Sequence, residues 1–217
     1  MLETPWKQTY ASKCCTAEQA VALLRPGRRV FVGSGAAEPA GLVEAMAGRA
    51  PHLHDNEIVH LLTLGPAPYA ARGQEARFRH TAFFVGPNVR EAVQEGRADF
   101  MPVFLSEIPR LIGSRRLRVD AALVQVSPPD AHGFCSLGVS VDVVRAAVDA
   151  AELVLAEVNP RMPRTRGDSL VHVDALDRLV PVDAPLPELL PPPPDEVDRA
   201  IARHVAGLVP DGATLQV

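Results

Sequence analysis

The stretch Val119-Asp-Ala-Ala-Leu-Val-Gln-Val126, followed directly by Ser127-Pro-Pro-Asp-Ala-His-Gly-Phe-Cys-Ser-Leu-Gly138, decides the fold of this chain. The first part is nearly all apolar, which is typical of a strand buried on both faces of a parallel sheet. The second part carries a carboxylate, an imidazole, a thiol, two hydroxyls and two glycines. Because ligands bind beyond the carboxyl ends of strands in open α/β sheets, we expect a functional site at this loop.

Outward from this stretch, strand-like and helical patterns alternate. The downstream pattern predicts a helix over 141–151 and a strand over 153–158. The upstream pattern predicts helices over 16–24, 39–50, 88–95 and 106–112, and strands over 29–32, 57–64, 81–85 and 99–103. Such alternation predicts an α/β fold, a three-layer α/β/α sandwich whose mostly parallel sheet has helices on both faces.

A proline-rich segment divides the 217 residues. Seven of the fourteen residues 181–194 are proline, which excludes a helix interior and favours an extended linker. We therefore expect an α/β domain over 1–180 and a linker over 181–194. Over 195–217 we expect an amphipathic helix and then a first strand, 213–217, that leads into a further domain.

Composition limits the possible partners. The 22 basic and 26 acidic residues give a net charge of -4, which argues against a nucleic-acid surface built on bulk positive charge. No apolar run approaches the roughly 20 residues of a transmembrane helix, and the sequence shows no signal-peptide pattern. With three cysteines read as reduced thiols, we expect a cytoplasmic protein with no nucleic-acid and no membrane partner. The spacing His52-x-His54-Asp55 matches no standard zinc pattern, so we expect no metal.

A glycine-rich turn, Val32-Gly33-Ser34-Gly35-Ala36-Ala37-Glu38-Pro39, follows a predicted strand and opens a predicted helix. It is not a dinucleotide fingerprint, because Glu38 stands where the third glycine is needed. We expect its free amides, at a helix N-terminus, to hold a carboxylate, a phosphate or a thioester oxygen. The alternative is a purely structural turn between strand and helix.

The loop 127–138 allows two interpretations. Asp130 could orient His132 as a proton-transfer group, or it could bond nearby backbone amides while Gly133 takes a left-handed conformation. We favour the second interpretation, with Ser136 and Gly138 contributing amides or a hydroxyl to a pocket. Cys135 is expected to be a buried thiol rather than a nucleophile.

Charged residues elsewhere also have two interpretations. Glu157, near the end of the strand 153–158, could be a nucleophile, but we expect it to pair with Arg161 or Arg164. The arginines of 110–118 could meet phosphates of an anionic ligand, but a solvated helix end explains them better.

Several motifs together resemble one enzyme family. They are Gly33-Ser-Gly35 before Glu38-Pro39, Phe83-Phe-Val-Gly86, Gly96-Arg-Ala-Asp99, Val124-Gln-Val-Ser-Pro-Pro-Asp130, Ser136-Leu-Gly138, Ala156-Glu-Val-Asn159, Met162-Pro-Arg-Thr165, Gly167-Asp-Ser169 and Asp211-Gly-Ala-Thr-Leu-Gln216. The chain resembles the acetyl-CoA hydrolase/transferase family, which includes the 4-hydroxybutyrate and acetate CoA-transferases, over essentially its whole length.

The resemblance implies a class I CoA-transferase-like fold with two tandem α/β domains. It implies transfer of coenzyme A between an acyl-CoA and a small carboxylate such as acetate, through a glutamyl-CoA thioester. In the family the nucleophilic glutamate lies in the second half, so it is expected after Val217, with no catalytic residue in this chain. We expect no permanently bound cofactor, a coenzyme A thioester as substrate and a homo-oligomer. The residues expected to line the cleft are Gly33, Ser34, Gly35, Ser127, Pro128, Asp130, Gly133, Ser136, Gly138 and Gln216.

Other functions remain open at this point. The chain could be one subunit of a two-subunit transferase, with the glutamate on its partner, or half of an acyl-CoA hydrolase. It could also be a non-catalytic binding module, or an enzyme such as a sugar-phosphate isomerase, although no motif for that is found. Alone, the 217 residues are expected to be inactive.

Overall fold

The computed structural model describes residues 5–216, which divide into two units between Pro187 and Glu188. The helices are α1 (Pro5–Lys13), α2 (Ala17–Val21), α3 (Ala40–Arg49), α4 (Pro87–Gln94), α5 (Ile108–Gly113), α6 (Val144–Ala150) and α7 (Glu196–Ala206). The strands are β1 (Arg29–Val32), β2 (Asn56–His60), β3 (Phe78–Ala82), β4 (Ala98–Phe100), β5 (Ala121–Val126), β6 (Phe134–Ser136), β7 (Leu153–Val158), β8 (Leu170–His172) and β9 (Arg178–Pro181). All except α7 belong to the first unit.

Seven strands form one sheet in the order β4-β3-β2-β1-β5-β7-β9, and every pairing in it is parallel. The chain winds outward from β1 to β4, returns to the centre at β5, and winds outward on the other side to β9. This reversal between β1 and β5 leaves a crevice at their carboxyl ends, where ligands of doubly wound sheets bind. The predicted α/β fold with a mostly parallel sheet is confirmed.

The sheet buries both faces, as the apolar strand runs predict. Successive residues of β5 enter different clusters, because side chains alternate across a strand. Leu123 packs with Leu42 and Met46 of α3, whereas Val124 packs on the opposite face with Val144 of α6. Full burial of each such side chain contributes about 1.5–3 kcal/mol. The central strands are therefore fixed from both sides.

Some predicted elements have the wrong bounds or were missed. The strands predicted over 29–32 and 153–158 are β1 and β7 with those bounds. The strand predicted over 57–64 ends at His60, and the chain then enters the loop before Gly65-Pro66. The helix α1, the strand β9 and the antiparallel pair of β6 with β8 were not predicted.

The second unit contains α7, whose first turn is closed by a capping box between Asp195 and Asp198. The strand predicted over 213–217 is wrong in its described part: residues 213–216 form no strand and pair with no described residue, and Val217 lies outside the described residues. The domain boundaries at 180 and 194 stay predictions. With 11 residues, α7 is the longest helix found in 5–216, and none there could span a bilayer.

Candidate functional site

The glycine turn occupies the crevice at the carboxyl end of β1. The Gly33 amide donates to the Leu123 carbonyl at 2.9 Å, and the Gly35 amide donates to the Leu62 carbonyl at 2.7 Å. Gly35 has a φ of +57°, and a Cβ there would lie 3.3 Å from Oγ of Ser140. The turn is thus tied to β5 and to the loop after β2, so the prediction of free amides is wrong for Gly33 and Gly35. The positive φ and the close approach of Ser140 both favour glycine at position 35.

The helix N-terminus that follows the turn is closed by a carboxylate of the protein itself. Oε1 of Glu157, on β7, accepts a hydrogen bond from the Leu42 amide at 2.6 Å, and the Gly41 amide also donates to this carboxyl. The Glu157 side chain is buried, and this burial raises its pKa to about 7. The predicted pairing of Glu157 with an arginine is wrong, because Arg161 binds Asp183 instead. The dipole of α3 and the two amide donors stabilise a carboxylate at this position, as an arginine would.

A second buried carboxylate, Glu38, comes from the turn. Its Oε2 accepts a hydrogen bond from the Gly65 amide at 2.6 Å, and the Leu64 amide also donates to it. Burial raises the pKa of Glu38, while these amides oppose the rise. Its Oε1 has no hydrogen-bond partner among the described residues. The sequence analysis used Glu38 as a departure from a fingerprint and as part of a family motif, and it missed the bridge that Glu38 makes between the loops after β1 and β2.

Two amide side chains complete a polar layer beneath the turn. Nε2 of Gln125 donates to the Glu38 carbonyl at 2.9 Å. Nδ2 of Asn159 donates to Oε1 of Gln125 at 2.9 Å and to the Ala184 carbonyl at 2.8 Å. These two side chains and that of Glu157 are all buried. A sequence signal existed: Gln125 and Glu157 are each the fifth residue of an otherwise apolar six-residue strand.

In the loop 127–138, Asp130 binds backbone rather than an imidazole. Its Oδ1 accepts from the amides of His132 and Phe134 at 2.9 and 3.0 Å. These bonds, that of Phe134 first, lower the pKa of Asp130. The His132 side chain is exposed, and Gly133 takes a φ of +87° against Trp6. The proton-transfer set is therefore not assembled in this structure.

Arg164 holds the base of this loop. Its Nη1 donates to Oγ of Ser127 at 3.1 Å and to the carbonyls of Pro128 and Phe134 at 3.0 Å each. Its Nη2 binds Oδ2 of Asp130 at 3.1 Å. One guanidinium thus joins four points of the loop, which its fixed fork of donors permits.

The end of the loop is packed against the segment after β7. Oγ of Ser136 accepts from the amides of Gly138 and Thr165, each at 3.1 Å. Gly138 has a φ of +65°, and a Cβ there would lie 2.1 Å from Sδ of Met162. Cys135 is fully buried, and this burial raises its pKa to about 12, which disfavours the thiolate that a nucleophile needs.

The remaining predicted residues lie elsewhere. Gln216 is exposed in the second unit, and its role, like that of the other predicted cleft residues, stays a prediction. Ser34, by contrast, lies at the crevice, where its Oγ donates to Oδ1 of Asp142 at 3.2 Å and so joins the glycine turn to the segment before α6.

Arg118 and His54 lie at the edge of the sheet opposite the crevice. Arg118 binds Asp120 and Glu152 at the amino ends of the strands, and His54 binds Asp55 at that same edge. A cavity of about 290 Å³ also lies at this amino edge, lined by residues that include Leu24 and Arg28. Residues 5–216 hold no group of three or more side chains suited to a metal.

Comparison with known proteins gives one family and consistent relatives. The family model described as the acetyl-CoA hydrolase/transferase N-terminal domain matches residues 3–188. The chain is 45% identical over 212 residues to the 4-hydroxybutyrate coenzyme A transferase of Clostridium kluyveri, covering 98% of this chain and 49% of that protein. It is 41% identical to the succinyl-CoA:acetate/propanoyl-CoA:succinate CoA transferase of Fasciola hepatica, covering 98% and 45%.

Solved structures agree with this result. RipA from Yersinia pestis superposes with a TM-score of 0.90 at 27% identity, covering 96% of this chain and 51% of that one. A 4-hydroxybutyrate CoA-transferase from Porphyromonas gingivalis gives a TM-score of 0.81 at 31% identity, covering 96% and 49%. The chain spans about half the length of the relatives it matches.

Proposed function

Because this chain belongs to the acetyl-CoA hydrolase/transferase family, we propose that it forms one half of a CoA-transferase. Its relatives include enzymes named as CoA-transferases, which move coenzyme A between an acyl-CoA and a carboxylate. The observation that carries the proposal is the match over 98% of this chain to half of such enzymes. The substrates proposed are an acyl-CoA and a small carboxylate such as acetate.

The proposed chemistry uses a glutamate outside this chain. Its carboxylate attacks the thioester carbonyl, forms an acyl-glutamyl anhydride and releases the coenzyme A thiolate. The thiolate then attacks the glutamyl carbonyl and releases the first carboxylate, which leaves a glutamyl-CoA thioester. An incoming carboxylate reverses these steps and leaves as the new acyl-CoA. The burial and amide contacts of Glu38 and Glu157 support a nucleophile from elsewhere, since neither is open to a substrate.

In this proposal, the two loops at the crevice form one wall of the active site. The turn Gly33–Gly35 and the loop Ser127–Gly138 lie at the carboxyl ends of the adjacent strands β1 and β5. Glu157 already occupies the amides at the start of α3, which disfavours a phosphate there. We therefore assign the turn to the thioester end of the substrate. Since the Gly33 and Gly35 amides already donate to carbonyls of the protein, the contribution proposed for the turn is a rigid surface that positions the thioester.

The test begins with the purified 217-residue chain and acetyl-CoA plus a second carboxylate. New acyl-CoA, followed by chromatography, is expected to be absent, and to appear once the second half is present. That half is to be read from the coding frame beyond Val217 or, if the frame stops there, sought as a co-purifying partner subunit. We call the combination the assembled enzyme, which we expect to be a homo-oligomer of the paired halves.

Three outcomes separate the alternatives. Release of free coenzyme A without a carboxylate acceptor would favour a hydrolase. Binding of acyl-CoA with no turnover by the assembled enzyme would favour a non-catalytic module. Robust exchange by the 217 residues alone would contradict the proposal, because the nucleophile would then lie in this chain.

A further inference from the structure

Two polar side chains stand side by side on the face of the sheet that α3 covers. Gln125 and Glu157 are register partners in the parallel pairing of β5 with β7, so both point to the same face. Earlier residues on this face, Leu123 and Leu155, are fully buried and apolar. The face therefore changes from apolar to polar at its carboxyl end, directly beneath the glycine turn.

Both side chains reach across to the segment between β1 and α3. Glu157 binds the first turn of α3 through the Leu42 amide, and Gln125 binds the Glu38 carbonyl just before that helix. A Cβ at Gly41 would lie 2.9 Å from Oε1 of Glu157, so the helix approaches this carboxylate as closely as glycine allows. Gln125 of β5 therefore holds the segment at the Glu38 carbonyl, and Glu157 of β7 holds it at the first amides of α3.

Core packing alone does not explain why Gln125 and Glu157 are polar. A polar group in a buried site lowers stability unless it is fully hydrogen-bonded, and an apolar residue would fill the same position at smaller cost. Glu157 instead accepts from amides that a helix start leaves without partners, and Gln125 donates to the carbonyl just before the helix. They also fix where β1 ends and α3 begins, and the turn Gly33–Gly35 lies in that short connection.

We propose that Glu157, assisted by Gln125, is a positioning residue that fixes the glycine turn at the active-site crevice. This inference rests on the proposed function in one respect, namely that the turn contacts the thioester end of the substrate. Without the Glu157 carboxyl, the Gly41 and Leu42 amides lose their acceptor, the first turn of α3 loosens and the glycine turn shifts. Glu157 does not itself touch the substrate.

The first test needs no activity and uses the 217-residue chain. In Glu157→Leu, hydrogen exchange of the amides of 35–42 is expected to rise at least tenfold more than exchange in β5 and β7. Glu157→Gln keeps a carbonyl oxygen as acceptor and is expected to stay within about threefold of the parent chain. The control, Val154→Ala, truncates a buried side chain on the opposite face of the same strand, so it lowers stability without touching the turn.

The second test uses the assembled enzyme. A misplacement of about 1 Å can reduce turnover by roughly a hundredfold, so we expect kcat to fall 10- to 100-fold in Glu157→Leu. The KM for acyl-CoA is expected to change less than threefold, since the coenzyme A moiety is not proposed to bind at the turn. Glu157→Gln should restore most of kcat. If Glu157→Leu does not fold, Gln125→Leu replaces it as the test, because Gln125 holds the same segment from β5. The expected loss of kcat is then smaller.

Several results would overturn the inference. One is exchange in Glu157→Leu that rises uniformly, as in Val154→Ala, because Glu157 would then be an ordinary core residue. Another is an active assembled enzyme whose kcat is unchanged by Glu157→Leu despite local loosening. An assembled enzyme that is inactive with the parent sequence would contradict the proposed function instead, and hydrogen exchange would still decide the structural role of Glu157.

Discussion

The turn Gly33–Gly35 and the loop Ser127–Gly138 lie at the carboxyl ends of neighbouring strands, but different interactions hold them in place. Below the turn are the side chains of Gln125 and Glu157, which come from strands distant in sequence. The loop is held mainly by its own backbone and by the single guanidinium of Arg164. The turn depends on two buried polar side chains of β5 and β7, and the loop depends on bonds within itself and to the segment after β7.

The difference has an electrostatic consequence. Burial raises the pKa of Glu157 and of Glu38 at the turn, whereas backbone amides lower the pKa of Asp130 in the loop. Carboxyl groups of one protein therefore respond to pH in opposite directions, according to whether desolvation or hydrogen bonding dominates.

The largest effect is expected from Gly138→Ala, at the end of the loop. The new Cβ would overlap Sδ of the buried Met162 and would sit at a left-handed φ of +65°. Overpacking and backbone strain each cost about 1–3 kcal/mol, so the free energy of unfolding should fall by about 2–6 kcal/mol. Denaturant unfolding of the chain measures this.

The matched control for that substitution is Gly27→Ala. Gly27 has nearly the same φ, +66°, but a Cβ there would meet nothing within 4 Å. Gly27→Ala therefore reports the strain alone, and the difference between the two variants reports the overlap with Met162. Equal losses would show that the loop end is not packed as described, and would weaken the contrast with the turn.

The second largest effect concerns the turn. It is the pH dependence of the difference in the free energy of unfolding between the parent chain and Glu157→Gln. Burial raises the pKa of Glu157 to about 7 from an ordinary value of 4.5. Between these values the folded state keeps a proton that the unfolded state releases, so this carboxyl lowers stability as pH rises through that window. The parent chain should therefore lose up to about 3 kcal/mol relative to Glu157→Gln between pH 4.5 and 7, and no more above it.

Only the difference between the two proteins is informative, because other buried groups titrate nearby. Glu38, also raised, acts in the same direction, whereas burial lowers the pKa of His60 and brings that of His80 to about 4, which acts in the opposite direction. Denaturant unfolding of both proteins at several pH values gives the difference. A difference that does not change with pH would mean that Glu157 is ionised when folded, as an exposed carboxylate would be.

The sequence predicts the strands of the sheet better than the hydrogen bonds that hold the glycine turn. The strands 29–32 and 153–158 follow from apolar runs, which depend on residues adjacent in sequence. The partner of Glu157 was wrongly predicted, because nearby arginines were considered and the Leu42 amide, 115 positions away, was not. A backbone amide carries no sequence signature, so only the fold reveals it. The bonds of Asp130 to nearby backbone amides were predicted correctly, since those amides lie only two and four residues away.

The smallest effect is expected from Arg164→Ala in the loop. The change removes bonds to Ser127, Pro128, Phe134 and Asp130, but water can replace several of them, because the arginine side chain is partly exposed. We expect a loss of about 1–2 kcal/mol in the free energy of unfolding. Arg164→Lys should not restore it, since an ammonium cannot reach four acceptors arranged for a planar fork. Arg166→Ala, two residues away and exposed, is the control, and a loss equal to that of Arg164→Ala would show that the loop does not depend on this guanidinium.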